Sequence, residues 1–368
     1  MGTQENPIGL RILYIVTAYD RYEGDGITPW LVETIRRLKA VGVDVEILAP
    51  SYRGQPSGRV GGVMVHRFRY APAAFESLTH DQTAPDRIRE RPWLAGLLPG
   101  YLLSGSRKAR DLARTGRFDV VHVHWPLPHA VLGLAAKRAA DLPLVSTFHG
   151  VEIAWARRQL PFMIPLLRRW IRRSDAVTAN SGYTAGLVRQ VYDRPVDRIP
   201  FGTTLPDGGV PATSHTRSQR FELLFVGRLV ERKGLRHLIN AVALVNRRCD
   251  ARLTVVGKGP LAGPLRDQAK ELGIQDRVRF PGFVDAEELA RHYASADAFV
   301  LPAVRDRKGD VEGLGVVLIE AASYGLPLIA SDAGGIGDIV VQGETGLQVP
   351  PGDEGALASA IAALCEDV

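Results

Sequence analysis

The sequence predicts an α/β fold built from two doubly wound parallel sheets, one in each half of the chain. Three observations predict it. Short apolar runs recur along the whole length, and helix-period segments fall between them. A Pro-, Gly-, Ser- and Thr-rich stretch, Thr203–Arg220, then separates two halves of similar pattern. The expected organisation is a first domain at 1–203, a linker at 204–220 and a second domain at 221–368.

In chain order, the strand-like runs of the first half are Arg11–Val16, Val43–Leu48, Val63–Phe68, Val120–His124, Leu144–Thr147, Ala176–Ala179 and Val196–Ile199. Trp30–Ala40 and Thr184–Val191 carry helical periodicity between them. The second half repeats the theme with Leu223–Val226, Leu253–Val256, Val278–Phe280, Ala298–Leu301, Leu328–Ala330 and Leu347–Val349. Its helices are expected at Leu235–Arg247, Pro264–Leu272, Ala286–Tyr293, Val316–Tyr324 and Ala356–Leu364. Two segments break the pattern. Tyr70–Ser106 shows few regular elements, and Trp155–Arg173 mixes apolar residues with Arg157, Arg158, Arg168, Arg169, Arg172 and Arg173. These segments read as two helices packed on the domain with the arginines as a solvated face, or as a basic, aromatic surface for an anionic membrane.

The chain has 368 residues, enough for two full cores. No run of 18 apolar residues suggests a membrane span. The first fifteen residues lack the basic start and small-residue cleavage site of a signal peptide. Cys249 and Cys365 are the only cysteines, which implies neither a metal site nor a disulfide framework and fits a reducing cytoplasm. Charge is uneven: 28 Lys and Arg face 18 Asp and Glu up to Leu205, and the remaining 18 face 22 beyond it. A basic first half suits anionic membranes or phosphorylated substrates. No nucleic-acid motif accompanies the charge, so nucleic acid is not an expected partner.

Ligands of doubly wound sheets bind at the carboxyl ends of strands, so the informative residues lie just after each run. Arg228 and Lys233 follow Leu223–Val226, placed either to meet a diphosphate or to form a basic surface loop. Val256-Gly257-Lys258-Gly259-Pro260-Leu261 resembles half a dinucleotide fingerprint, but the spacing fails and a tight turn is the simpler reading. His149 follows Leu144–Thr147 as a turn residue or a ligand contact. His122 and His124 share one strand face without a third ligand at metal spacing. Ala333-Gly334-Gly335 after Leu328–Ala330 makes a simple turn or brings N–H groups to an anion. Glu312 and Glu320 are the sharpest pair. With Glu312 in the loop after Ala298–Leu301 and Glu320 on the following helix, their carboxylates lie roughly 10–12 Å apart at about 1.5 Å per residue. Paired glycosidase carboxylates lie about 5–9.5 Å apart, so these two suit opposite ends of one elongated ligand. Gly313 and Gly315 at the helix start offer backbone N–H groups to an anion.

Taken together, Gly227-Arg228…Lys233-Gly234, Val256-Gly257-Lys258-Gly259-Pro260-Leu261, Phe280-Pro281-Gly282-Phe283-Val284, Glu312 through Glu320-Ala321, Gly325-Leu326-Pro327, Ser331-Asp332-Ala333-Gly334-Gly335 and Gly346-Leu347 resemble the retaining glycosyltransferases of family four. That family has the GT-B fold, two Rossmann-like domains facing across a cleft. Asp119–His124, Phe148-His149-Gly150 and Ile199–Gly202 match more loosely. The resemblance implies a hexosyl transfer from a UDP- or GDP-linked sugar to a saccharide or lipid-linked acceptor, without metal or other cofactor, in cell-surface polysaccharide or glycolipid synthesis. It implies that Arg228 and Lys233 neutralise the diphosphate, Glu320 binds the ribose and Glu312 the sugar hydroxyls. Gly313, Leu314 and Gly315 would touch sugar and phosphate through their backbone. Phe283 and Val284 would hold the base, Gly257 would line the donor site, and His149 would reach the reacting carbon. The first domain would bind the acceptor. Gly24 and Gly26 stand where the family often has a Gly-Gly loop after its first strand, and these two with His124 are the candidates for an acceptor or phosphate site. The chain stops at Val368, so the family's last helix, which crosses back to the first domain, is expected to be missing. An epimerase, a phosphorylase or a non-catalytic sugar-nucleotide-binding module on this architecture are the competing readings.

Overall fold

The computed structural model describes residues 9–81, 84–203, 220–246 and 248–366. Its contacts divide the chain into two units, Met1–Asn180 with Thr184–Pro200, and Ser181–Tyr183 with Phe201–Val368. Of the expected linker at 204–220, residues 204–219 lie outside the described residues, as does Arg247.

The first unit is an eight-stranded sheet. Its elements are β1 (Arg11–Ile15), α1 (Pro29–Ala40), β2 (Asp44–Pro50), β3 (Gly58–Val60), β4 (Val63–Phe68), α2 (Ala84–Glu90), α3 (Leu98–Thr115), β5 (Val120–His124), α4 (Pro126–Ala140), β6 (Leu144–Phe148), α5 (Val151–Gln159), α6 (Ile164–Arg173), β7 (Ala176–Ala179), α7 (Gly182–Val191) and β8 (Asp197–Arg198). The strand order is β3-β4-β2-β1-β5-β6-β7-β8, parallel except for β3 against β4. Central strands such as β1 are apolar on both faces because helices cover both. Helix α1 buries Leu31 and Ile35, four residues apart, and Arg37 and Lys39 in its last turn oppose the helix dipole favourably.

The second unit contains β9 (Phe221–Val226), α8 (Leu235–Val245), β10 (Ala251–Val256), α9 (Ala262–Glu271), β11 (Val278–Gly282), α10 (Ala286–Ser295), β12 (Ala298–Leu301), α11 (Val316–Ser323), β13 (Leu328–Ser331), β14 (Gly346–Val349) and α12 (Glu354–Glu366). Its six strands run in the order β11-β10-β9-β12-β13-β14, all parallel. Leu223, Phe225, Leu253, Val255, Phe299, Leu301 and Ile329 form the centre of its core. Each such side chain contributes on the order of 1.5–3 kcal/mol by burial. Asp285 caps α10 by accepting the Glu288 N–H at 2.8 Å. Glu354 ties α12 to α8 through His237 Nδ1 (2.9 Å) and Asn240 Nδ2 (2.7 Å).

The segment Tyr70–Ser106 is more regular than its sequence suggests. It holds α2 and the first half of the eighteen-residue α3. Gly105 disguises that helix: a Cβ there would lie 2.7 Å from Leu132 Cδ2 on α4, so the glycine permits close helix packing rather than a break. Strand β3 was also hidden, although Val60-Gly61-Gly62-Val63 is a two-residue hairpin signal, with both glycines at positive φ. Trp155–Arg173 folds as parts of two helices, α5 and α6, whose Ile153, Leu167, Trp170 and Ile171 are buried in the core.

Candidate functional site

In the second unit, strand order reverses between β9 and β12, and the loops leaving these two strands converge there. The β9 loop brings Arg228, which is exposed, and Lys233, which is buried. The β12 loop brings Glu312. Lys233 Nζ lies 2.6 Å from Glu312 Oε2, with both side chains nearly excluded from solvent. Burial alone would raise the Glu312 pKa; Lys233, Arg232 and the Gly313 N–H outweigh it and hold the carboxyl below its ordinary range. Arg232 accepts the Val304 N–H through its carbonyl at 2.9 Å, joining the two loops. Gly234 sits at φ 67° where a Cβ would collide with the Pro302 carbonyl, so only glycine allows this approach.

A third loop completes the support. Gly335 donates its N–H to the Glu312 carbonyl at 3.0 Å, and a Cβ on Gly334 or Gly335 would strike the carbonyl of Glu312 or Gly313. The Ala333–Gly335 segment is thus neither a simple turn nor, at Gly335, an open N–H donor; it braces the loop that carries Glu312. Gly315 enters α11 at φ 86°, and Leu314 beside it is buried.

Glu320 lies one turn into α11, buried, with Oε2 accepting from Tyr293 Oη at 2.9 Å. Burial, then Glu320, raises the Tyr293 pKa, so the phenol stays protonated as donor. Phe283 is 74% exposed, and Lys258 Nζ stands 5.7 Å from its ring centroid. Val284 beside it is buried. Gly257, at φ 135°, has no room for a Cβ because the Gly227 carbonyl occupies it. This is the close backbone approach expected of a tight turn. A depression of about 720 Å³, lined by Thr254, Arg279, Phe280 and His292 among others, lies between the sheet and α10. It includes none of the expected site residues.

In the first unit the order reverses between β1 and β5. After β1, buried Asp20 accepts the N–H groups of Gly26 (3.3 Å) and Thr28 (3.2 Å). It thereby shapes the loop holding Gly24 and Gly26, both at positive φ. After β5, Trp125 adopts the left-handed conformation (φ 51°), uncommon for a bulky residue and a mark of local constraint. Its ring stacks on His149 at 4.1 Å. His149 Nε2 lies 3.4 Å from His124 Nδ1, and Trp30 covers both imidazoles. Burial pushes the His149 pKa down to about 3, aided by His122, and that of His122 to about 4. Burial, with His122 and His149 beside it, lowers His124 as well. The cluster is therefore a set of neutral imidazoles at pH 7, able to accept or donate hydrogen bonds without carrying charge. His122 Nε2 pairs with Thr147 Oγ1 at 2.6 Å. Among the described residues, no group of three or more His, Cys, Asp or Glu is arranged to hold a metal ion.

The sequence led to Glu312, Lys233, Arg228 and Glu320 but missed Tyr293, Asp20, Trp125 and Glu152. Glu152 in the first turn of α5 fits the ordinary acidic preference at a helix N-terminus, which by itself carries no functional signal.

Residues 220–367 match the family described as glycosyl transferases group 1, and residues 24–205 match glycosyltransferase family 4. A GDP-mannose-dependent alpha-(1-6)-phosphatidylinositol monomannoside mannosyltransferase of Mycobacterium tuberculosis (strain CDC 1551 / Oshkosh) is 32% identical over 334 residues, covering 86% of this chain and 85% of that protein. The sucrose-phosphate synthase of Thermosynechococcus elongatus superposes with a TM-score of 0.70 at 24% identity, covering 97% and 90% of the two chains. Anabaena HepE in complex with UDP also gives 0.70, at 19% identity and the same coverage. These matches place the chain in glycosyltransferase family 4, with the GT-B fold and a hexosyl transfer from a nucleotide sugar as its reaction.

Proposed function

We propose that the second unit binds a nucleoside-diphosphate hexose and the first unit its acceptor. The observation that carries this reading is the buried Lys233–Glu312 pair at the β9/β12 switch point. Lys233 and Arg228 neutralise the diphosphate, Glu312 accepts sugar hydroxyls, and the backbone of Gly313, Leu314 and Gly315 borders sugar and phosphate. Glu320, oriented by Tyr293, takes the ribose. Exposed Phe283 offers its ring to the base, with Val284 and Gly257 beneath. His149 acts at the reacting carbon as a neutral imidazole. The acceptor oxygen attacks the anomeric carbon on the face from which the diphosphate leaves. The sugar–phosphate C–O bond breaks, its electron pair leaves with the diphosphate, and a phosphate oxygen takes the acceptor proton. Cationic groups at the leaving diphosphate supply the main stabilisation.

Similarity to the mycobacterial mannosyltransferase supports GDP-mannose as donor and a lipid-linked, polyol-bearing acceptor. A thermal-shift panel of GDP-mannose, UDP-glucose and ADP-glucose tests the donor. A ligand at about 100 times its Kd adds about 2.7 kcal/mol of stability. No shift with GDP-mannose and a clear one with UDP-glucose would replace the donor. Free nucleotide with an isomerised sugar, formed without acceptor, would instead establish an epimerase.

The acceptor reading extends to location, at the cytoplasmic face of an anionic membrane. No helix among the described residues is long and apolar enough to cross a membrane. Phe162 (72%) and Leu166 (37%) are exposed beside α6, where Arg169, Arg138 and Arg172 crowd Arg173 enough to lower its pKa. Binding to phosphatidylglycerol vesicles that weakens with salt, with none to duplex DNA or neutral vesicles, is the expected result.

A further inference from the structure

Three adjacent strands of the first unit, β5, β6 and β7, each lead at the carboxyl end to a buried polar atom with no hydrogen-bond partner among the described residues. They are Nε2 of His124, which ends β5, Oε2 of Glu152, four residues past β6, and Oδ1 of Asn180, the residue after β7. Each of these side chains is only 4% exposed. Buried polar groups are normally paired, and a cluster of exceptions calls for a ligand or ordered solvent. The two relevant loops also touch: His149 Nε2 lies 3.4 Å from His124 Nδ1, while the His149 N–H donates to Glu152 Oε1 at 2.9 Å. Asn180 joins the same edge through its N–H, bound to the Phe148 carbonyl at 3.3 Å.

The chemistry of the three atoms selects the ligand class. Asn180 Oδ1 only accepts hydrogen bonds, and an ionised Glu152 Oε2 does the same. His124 Nε2 accepts or donates according to the tautomer that its contact with His149 fixes. An anion would meet two oxygen acceptors and be repelled; a ligand with neighbouring hydroxyls would satisfy them. Burial raises the Glu152 carboxyl to about 7 against the opposing N–H groups of His149, Glu152 and Gly150. A polyol hydroxyl that both donates and accepts fits either protonation state.

We propose that His124, Glu152 and Asn180 form a hydroxyl-recognising subsite for a sugar or cyclitol ring of the acceptor. The proposal rests on the reading of the first unit as the acceptor half. Within it, Glu152 is also a positioning residue for His149, because one carboxyl oxygen holds the His149 backbone while the other has no hydrogen-bond partner among the described residues. A purely structural alternative is that Glu152 only caps α5, which Glu152→Gln would preserve and Asn180 would not influence.

Trp125 and Trp30 border the histidines and report on the subsite by fluorescence. The full chain is titrated with methyl α-mannopyranoside, with myo-inositol and with inorganic phosphate. Saturable quenching by either polyol and none by phosphate is expected. Glu152→Ala and Asn180→Leu should each weaken polyol binding at least about tenfold, the loss of a charged or neutral hydrogen bond; Glu152→Gln should weaken it less. If Glu152→Ala does not fold, Asn180→Leu and Glu152→Gln carry the test, with the melting curve as the fold control. Wild-type affinity in folded Asn180→Leu, or tighter binding of phosphate than of both polyols, overturns the proposal. His149→Ala separates the two readings. Undiminished sugar transfer in that variant, together with weakened polyol binding in Asn180→Leu, would sink the assigned role of His149 and leave the subsite standing.

Discussion

Glu312 and Glu152 are both buried glutamates at the carboxyl edges of parallel sheets, and their surroundings shift the two carboxyls in opposite directions. Glu312 has an ammonium 2.6 Å away and is held ionised. Burial pushes Glu152 up to about 7 against the backbone N–H groups of His149, Glu152 and Gly150. The difference teaches that burial does not set a carboxyl's charge by itself; the neighbouring cation decides. It also separates the chemistry proposed for the two units. One carries a fixed ion pair suited to an anionic diphosphate, the other a buried, hydrogen-bonding cluster suited to hydroxyls.

Breaking the ion pair should give the largest effect. Lys233→Ala strands the Glu312 charge and should cost about 3–5 kcal/mol in denaturant titration. Transfer should fall on the order of a hundredfold or more. Lys233→Met with Glu312→Leu should recover much of that stability yet remain inactive, separating folding from catalysis. Next comes the pH response. The Glu152 pKa rises from its ordinary 4.5 to about 7 on folding, so the folded state retains a proton that the unfolded state releases. Stability from this group is therefore lost as pH rises from about 4.5 to about 7. The stability of Glu152→Gln relative to the native chain should grow over that window, by up to roughly 3 kcal/mol. Glu312 should act in reverse, contributing above its ordinary pKa and losing that contribution as pH falls through its lowered value. Equal pH slopes for Glu152→Gln and Glu312→Gln would end the comparison. Gly335→Ala should cost about 1–3 kcal/mol, as overpacking does, and slow transfer by displacing the Glu312 loop. Phe283→Ala is the smallest: stability should stay within about 0.5 kcal/mol, with the change confined to a higher KM for the donor.

Most of both sheets was legible because parallel strands buried on two faces leave unbroken apolar runs. Val63–Phe68, Val120–His124, Ala176–Ala179 and Ala298–Leu301 have the bounds their sequences suggest. Helix α3 was obscured because Gly105, placed for contact with α4, resembles a breaker. The switch-point residues were legible because their position after a strand is a local property. Their partners were not. Tyr293 meets Glu320 from α10, and Gly335 meets Glu312 across neighbouring loops, through contacts that exist only after the sheet has formed. Glu152 looked like an ordinary acidic residue in a first helical turn; only its burial makes it unusual.

The Gly335–Glu312 brace also bears on the thermodynamics of ligand capture. The backbone bearing Glu312 is fixed by a neighbouring loop and not by the donor. Its ordering entropy is then spent during folding, so the donor's binding enthalpy is not consumed in arranging that segment. A calorimetric comparison should show this as a less unfavourable binding entropy in the native chain than in Gly335→Ala. Affinity for the nucleotide sugar would thus depend on a contact the sugar never touches.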